Sequence, residues 1–497
     1  MRSGSEYIEG LRDGRAVYIN GELVDDVTTH PAFRDAVRSV ANLYDIASDP
    51  ANADVMTCPS PYDQSAMNLS FLIPRTEDDL VRRRRALRRL SEATFGLMGR
   101  TPDHVAGFLA GFAGNASVFA RAGKQYGENV VNFHKHASAT DAYVAYTIVP
   151  PQIDRSKPAH QQADPHLYAG VREERDGGIV IKGAQMLGTG AVLADWVHLS
   201  SIVPLRPGDE NYAISVVVPV GAPGVKVLSR RSYAEGATSR FDYPLSTRFD
   251  ESDSLVIYDD VFVPWEHVFV YRDLDLVQAQ WWETAAHVLG NNQAQIRFAT
   301  KLDLLVGIAA SIARMNGLDT LPPVQSTLGE LAANAAMVWG LVLASEQNCS
   351  IDDDGVAHPG HSETYANMTL QSELYPKVLG IVRELCGGGL IQLPSSVKDF
   401  QSEEVAKELE RYIQSPGVDA ERRVKLMKLA WDLVGSEFAS RHHQYEMFYA
   451  GAPFLVKARM YRNYDFERAA ALAESAMAGY DVNGDVTPEA LQETSGV

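Results

Sequence analysis

The chain predicts an α+β fold that is mainly helical, ordered as helices, then a sheet unit, then helices again. Three observations carry this. Apolar residues recur at helical spacing from Pro31 to about Phe133 and again from Leu276 to Met477. Between them, residues 178–271 hold short runs rich in β-branched residues, punctuated by Gly, Pro and Asp. The first junction carries Pro150-Pro151, which stops any helix, because proline lacks an N–H and disfavours helical backbone in the residue before it. At 497 residues the chain is too long for one ordinary core, and the expected divisions are 1–148, 149–275 and 276–497.

Taken in order, Arg15–Val24 (RAVYINGELV) reads as a hairpin around Asn20-Gly21, a favoured two-residue turn. Arg34–Ile46 and Glu77–Phe95 read as helices. The second contains the arginine run Arg82–Arg85, read as a solvated helix face making ion pairs rather than as a nucleic-acid patch. Five runs, Gly178–Leu187, Asp195–Pro204, Tyr212–Val220, Val225–Tyr233 and Ser254–Trp265, are predicted strands of one antiparallel unit. Helical segments at 279–316, 325–349, 362–386, 402–414 and 420–449 read as a bundle. The tail at 481–492 (DVNGDVTPEALQ) mimics a calcium loop but lacks its central glycine and final glutamate, so it reads as a surface tail. No GxGxxG follows a strand, which argues against a Rossmann nucleotide domain.

A net charge of -19 argues against a nucleic-acid partner, whose phosphates need basic patches. Cys58, Cys349 and Cys386 are scattered and odd in number, which makes neither a disulfide framework nor a zinc pattern. The polar N-terminus shows no signal peptide, and no uninterrupted apolar run reaches about 18 residues, so no membrane partner and a cytoplasmic location are expected. Polar residues crowd His134–Arg155 at the helix-to-sheet junction, as side chains lining a site would. His134 and His136, two apart, do not share a helix face, which argues against a metal, and both are expected at the surface or behind the site.

Seven ordered blocks carry a resemblance: GRTPDH (99–104), YTIVPPQIDR (146–155), KGAQMLGTGAVLADWVHL (182–199), DDVFVPWEHVFVYRD (259–273), HVLGNNQAQIRFATKLDLLVGIA (287–309), ELCGGGLIQLPSS (384–396) and HQYEMFYAG (443–451). Together they resemble the oxygenase component of two-component, reduced-flavin-dependent phenol and chlorophenol monooxygenases, the 4-hydroxyphenylacetate 3-monooxygenase family. The resemblance spans roughly residues 15–480 and speaks to the family more than to the substrate. It implies an acyl-CoA dehydrogenase-like fold, with an N-terminal helical domain, a central antiparallel β-barrel domain and a C-terminal helical bundle. It also implies a homotetramer that receives FAD as FADH2 (FMN being the alternative) from a separate NAD(P)H:flavin reductase. With O2 as co-substrate, a C4a-hydroperoxyflavin would hydroxylate a small phenol, free or carrier-tethered, ortho to its hydroxyl. The alternatives are para attack that displaces a halide or nitro group, and a non-hydroxylating acyl-CoA dehydrogenase-like flavoprotein.

Residue by residue, the resemblance makes Arg100 the binder of the phenol oxygen, a role suited to a permanently charged guanidinium; otherwise Arg100 would pair with Asp103 or a helix end. Family members acting on 4-hydroxyphenylacetate carry tyrosine where His104 stands and histidine where Tyr146 stands. Either the two partners of the phenol oxygen have exchanged places, or both positions drifted with the substrate. His287 matches the base of the chlorophenol enzymes, and a neutral imidazole suits that task; a satisfied core histidine is the rival. The resemblance places Ser200 and Ser201 at a loop over the substrate. It places Gln152, Arg155, Thr189, Tyr445, Tyr449, Ala450 and Gly451 against the flavin, with Gly188 and Gly190 allowing backbone to approach a planar ligand. Cys386–Gly389 would allow close helix or nucleotide approach. A 4-hydroxybutyryl-CoA dehydratase would need cysteines at Arg100, His104 and Ala294 to hold its iron–sulfur cluster, and none is present.

Overall fold

The computed structural model describes residues 1–477; the tail segment at 481–492 lies outside the described residues. The N-terminal periodic stretches become the helices Arg34–Ser48, Glu77–Ala93, Pro102–Gly114 and Lys124–Thr140. Thr76 caps the second, its hydroxyl accepting from the Asp79 amide, and three acidic residues in the first turn suit the helix dipole. Four consecutive arginines turn through four directions on a helix, so their run is not one solvated face, as expected, but divided. Arg83 is fully buried and donates to the carbonyls of Ser70 (2.8 Å) and Leu72 (2.9 Å). Arg84 reaches Glu346 on a distant helix at 2.8 Å.

All five predicted strand runs form strands. They divide between a six-stranded and a four-stranded sheet. The six-stranded order is Glu22–Leu23, Ala16–Ile19, Val225–Ser229, Ser254–Pro264, Gly178–Gln185, Gly170–Arg175. The other is Val268–Tyr271, Ile214–Pro219, Trp196–Leu199, Val144–Thr147. The expected closed antiparallel barrel is not what the described residues form. Neither sheet closes, and each contains a parallel pair: Ala16–Ile19 beside Val225–Ser229, and Val144–Thr147 beside Trp196–Leu199. Tight hairpins dictate antiparallel pairing, but these partners are joined by long connections that leave either direction open. The hairpin at Asn20-Gly21 forms with both turn residues at positive φ and brings the chain's start into the central sheet.

The C-terminal region, from Leu276 to Met477, is helical apart from a short strand pair, Ser350–Ile351 and Ala357–His358. The segment read as 279–316 is two helices, Leu276–Trp282 and Ala286–Met315. That at 420–449 is also two, broken at Gly435-Ser436, where the Ser436 hydroxyl caps Glu437–Phe448 by accepting from the Ala439 amide. Ala286–Met315 is buried on nearly every face and packs against Glu77–Ala93, Pro102–Gly114, Pro322–Gln347 and His361–Cys386. Close approach to Pro102–Gly114 needs two glycines: a Cβ on Gly111 would overlap the Ala286 backbone, and one on Gly290 the Phe108 ring.

Two further expectations change. Pro322–Gln347 is long and apolar enough to cross a membrane, its most apolar stretch averaging a mean hydropathy of 1.4, even though Glu330 and Asn334 interrupt the apolar run. It is tied to the protein by Trp339, whose indole N–H donates to Asp303 at 3.0 Å, and by the Glu346–Arg84 pair. His134 is not at the surface. It is fully buried, with Nδ1 2.7 Å from the Tyr62 hydroxyl and Nε2 2.9 Å from the Phe71 carbonyl, and burial pushes its pKa down to about 4. His136 is exposed.

Candidate active site

Arg100 sits in the turn before Pro102–Gly114, and its backbone is pinned from two directions. The Glu251 carboxylate accepts from the amides of Gly99 (2.9 Å) and Arg100 (2.8 Å), and the Tyr143 hydroxyl donates to the Arg100 carbonyl. The guanidinium then projects among three phenol rings, 4.2 Å from Tyr449, 4.8 Å from Tyr146 and 5.5 Å from Tyr445. Among the described residues no carboxylate meets it; Asp103, its expected alternative partner, turns to Gln293 instead. Burial opposes the charge, but the surrounding phenols more than offset it, and the arginine pKa lies above its ordinary value. Among the described residues this charged group has no carboxylate counter-ion.

One turn on, His104 is buried with Nε2 3.1 Å from the Arg100 guanidinium and Nδ1 3.1 Å from Gln293 Oε1. A guanidinium only donates and an amide oxygen only accepts, so the proton sits on Nδ1 and Nε2 shows its lone pair to Arg100. Burial and the Arg100 charge hold the imidazole well below its ordinary pKa. Tyr146, on the strand Val144–Thr147, lies 5.6 Å from the His104 ring and 5.5 Å from Phe108. Burial pushes its phenol up to about 12, against the pull of Arg100. The structure therefore brings Arg100, His104 and Tyr146 into one cluster.

His287 belongs to a separate cluster. Its Nε2 faces Arg459 at 3.1 Å and Asn291 Nδ2 at 3.2 Å, and its Nδ1 faces the Tyr365 hydroxyl at 3.3 Å. Its ring packs 4.6 Å from Trp282, and burial, with Arg459 and His361, holds its pKa well below the ordinary value. Only packing links the clusters: Gly290, one turn past His287, abuts Phe108, whose ring lies 5.0 Å from His104.

The remaining predicted residues scatter. Gln152 and Arg155 are exposed on the loop after Val144–Thr147. The Thr189 hydroxyl donates to Asp253 at 2.7 Å. Gly188 and Gly190 meet protein, not open space: a Cβ would press on Val256 and on the Tyr143 hydroxyl respectively. Ser200 donates to the Ile214 carbonyl (3.1 Å) and accepts from Gln280 (2.8 Å), and Ser201 donates to the Val203 carbonyl (3.0 Å). Tyr445 and Tyr449 border Arg100; the Tyr445 hydroxyl is buried with no partner among the described residues. Ala450 packs beside Tyr365, Met368 and Val456, while Gly451 takes φ +100 facing open space. Gly387, after Cys386, takes φ +57 and ends His361–Cys386.

Sequence reasoning missed Glu251, Gln293, Tyr365 and Arg459. It also missed Arg441, which donates to Glu251 at 3.0 Å and to Asp253 at 2.6 Å. The acidic word DESD (250–253) inside a sheet unit was the one available signal, since buried carboxylates need partners.

A family model described as 4-hydroxyphenylacetate 3-hydroxylase N terminal matches residues 3–270, and its C-terminal counterpart matches residues 277–478. The chain belongs to the 4-hydroxyphenylacetate 3-hydroxylase family. It is a flavin-dependent aromatic monooxygenase with an acyl-CoA dehydrogenase-like fold. Among relatives in the family, the oxygenase component of a 4-nitrophenol 2-monooxygenase from Rhodococcus is 35% identical over 98% of this chain and 94% of its own length. The 4-hydroxyphenylacetate 3-monooxygenase oxygenase component of Pseudomonas aeruginosa is 34% identical over the same shares. A Streptomyces globisporus monooxygenase named for a chlorohydroxyphenyl amino acid on a peptidyl-carrier protein is 34% identical over 98% of this chain and 93% of its own length. The crystal structure of the oxygenase component HpaB complexed with FAD and 4-hydroxyphenylacetate matches with a TM-score of 0.90 at 33% identity, covering 96% of this chain and 99% of that one. An archaeal 4-hydroxybutyryl-CoA dehydratase from N. maritimus matches with a TM-score of 0.87 at 22% identity, covering 100% of this chain and 99% of that one, which shows a shared fold alone.

Proposed function

We propose that this chain is the oxygenase component of a two-component system. It takes reduced FAD from a separate NAD(P)H:flavin reductase and, with O2, hydroxylates a small phenol ortho to its hydroxyl. The observation that carries this reading is Arg100, a buried guanidinium ringed by Tyr146, Tyr445 and Tyr449 with no carboxylate among the described residues to neutralise it. A phenolate oxygen is the counter-ion that such a site lacks, and a phenolate ring is more electron-rich than a phenol ring, which favours oxygen transfer.

Reduced FAD, when bound, supplies the two electrons that split O2, so that one oxygen atom enters the ring and the other leaves as water. The donor set fits a flavin. The Gln152 amide and Arg155 guanidinium are exposed, without protein partners among the described residues, and the buried Tyr445 hydroxyl also lacks one. With Thr189, Tyr449, Ala450 and Gly451 these residues are assigned to the cofactor. Gly188 and Gly190 are accounted for by protein packing. Arg100 holds the phenol oxygen, with His104 and Tyr146 on either side of it, the family's pair in exchanged positions. The aromatic walls of Phe108, Tyr146 and Tyr449 keep water away from the reacting atoms. His287 is assigned the phenol proton, which requires its Nε2 to be released from both Arg459 and Asn291. Ser200 and Ser201, whose hydroxyls are held by protein, shape the pocket rather than donate to substrate.

The same reading includes a homotetramer of three-part subunits in the cytoplasm. Exposed Met337, Leu343, Phe454 and Leu472 suit subunit contacts, and three free cysteines suit a reducing compartment. The test supplies the purified chain with FAD, NADH, a flavin reductase and ¹⁸O2, and screens hydroxyphenyl acids, nitro- and halophenols and carrier-bound phenols by product mass. A catechol carrying one labelled oxygen is expected, together with loss of the product in Arg100→Leu. Hydrogen peroxide alone across the whole panel would overturn the assignment.

A further inference from the structure

Behind the Arg100 cluster, Tyr44, Ser70, Asp103 and Asp141 meet at a small internal cavity, together with Leu43, Phe71 and Leu90. Each of these four polar residues is at most 3% exposed, and each leaves one side-chain oxygen without a protein partner among the described residues: Tyr44 Oη, Ser70 Oγ, Asp103 Oδ1 and Asp141 Oδ2. The other carboxylate oxygens are taken. Asp141 Oδ1 accepts from Asn68 Nδ2 at 3.1 Å, and Asp103 Oδ2 accepts from Gln293 Nε2 at 3.2 Å. Buried polar atoms rarely stay unpaired, so four around one space call for a ligand.

Size and hydrogen-bond count identify it. The cavity leaves about 10 Å³ in which the centre of a water molecule can sit, the low end of what one water needs and too little for two. The two hydroxyls each have a proton to give, and the two carboxylate oxygens can only accept. One water accepts from Tyr44 and Ser70 and donates to Asp103 and Asp141, which satisfies all four atoms. A cation would face the same oxygens but leave both hydroxyl protons without acceptors.

This water bears on the site through Asp103. Because Asp103 accepts from the Gln293 amide nitrogen, Gln293 must turn its oxygen towards His104, which puts the imidazole proton on Nδ1 and the Nε2 lone pair against Arg100. We propose that the cavity holds one structural water shared by Asp103 and Asp141, and that Asp103 so anchored is a positioning residue that sets the His104 tautomer beside Arg100. Any effect on phenol binding rests on the assignment of Arg100 and His104 to the substrate; the water and the tautomer do not.

Three measurements on the full-length chain test this. A high-resolution crystal structure should show one density peak with four oxygens at about 2.6–3.2 Å. An empty cavity, or five or more oxygen neighbours near about 2.4 Å as around a metal ion, would overturn the water. In ¹⁵N-histidine-labelled protein, His104 should be the Nδ1–H tautomer. Asp103→Asn keeps the shape but lets Gln293 flip, so the His104 signal should move towards the Nε2–H form and KM for phenol should rise about ten-fold, more than kcat falls. Ser70→Ala, which removes one of the water's partners, should shift the same signal in the same direction but less. An unchanged tautomer in folded Asp103→Asn would end the positioning role. A shifted tautomer in a protein that hydroxylates no phenol would leave that role standing and point to failure of the functional assignment.

Discussion

His287 can accept a proton only when its Nε2 lone pair is free, and Arg459 and Asn291 both donate to that nitrogen. The Arg459 charge also lowers the imidazole pKa, after burial itself. Replacing Arg459 by leucine removes a donor and a charge together, so the acid limb of the pH profile of kcat/KM should move to higher pH. A limb that stays in place would show that His287 is not the titrating base. His134 makes a separate prediction, about stability. Its folded pKa is about 4 against an ordinary value near 6.5, so between these pH values the unfolded chain binds the extra proton. Stability attributable to His134 is therefore intact above about 6.5 and declines towards pH 4, by on the order of 3 kcal/mol at most. Asp141, pushed up to about 6 by burial, works in the opposite sense over an overlapping range. The contribution is best isolated by comparing melting curves of the wild type and His134→Gln, whose difference should shrink as the pH falls.

Among the elements, Glu437–Phe448 is tied into the core by the carboxylate of Glu446, besides the pairs its Arg441 makes with Glu251 and Asp253. Glu446 accepts from Arg297 at 2.7 and 2.8 Å, from Lys301 at 2.5 Å and from Gln371 at 2.6 Å, all deep in the core. Its flanking residues Tyr445 and Tyr449, one turn apart, face Arg100. Removing one member of a buried ionic network strands the others, so Glu446→Ala should lose about 3–5 kcal/mol of stability, read as a lower denaturation midpoint. Little or no loss would mean that water compensates Arg297 and Lys301 in its place. The helices of this region were legible because their apolar spacing is regular; the break at Gly435-Ser436 was not, because the periodicity resumes on both sides of it. The strand runs were legible for the same local reason. Their parallel pairings were not, since partners about fifty and about two hundred residues apart leave no mark on local sequence.

For the whole molecule, the order of helices, sheets and helices could be read from periodicity, whereas the open sheets in place of a closed barrel could not. The cluster of Arg100, His104 and Tyr146 was legible through motif blocks. The residues that hold it, such as Gln293 and Glu251, are single positions distant in sequence, and they acquire meaning only when the fold brings them beside the motif. Glu251 carries the largest consequence of these. It comes from the middle of the chain, accepts from the backbone of Gly99 and Arg100 near the beginning, and receives Arg441 from near the end. On a ribosome adding about 5–20 residues per second, roughly 10–40 seconds separate the synthesis of Glu251 from that of Arg441. A nascent or truncated chain therefore lacks the last support of its own anchor for Arg100.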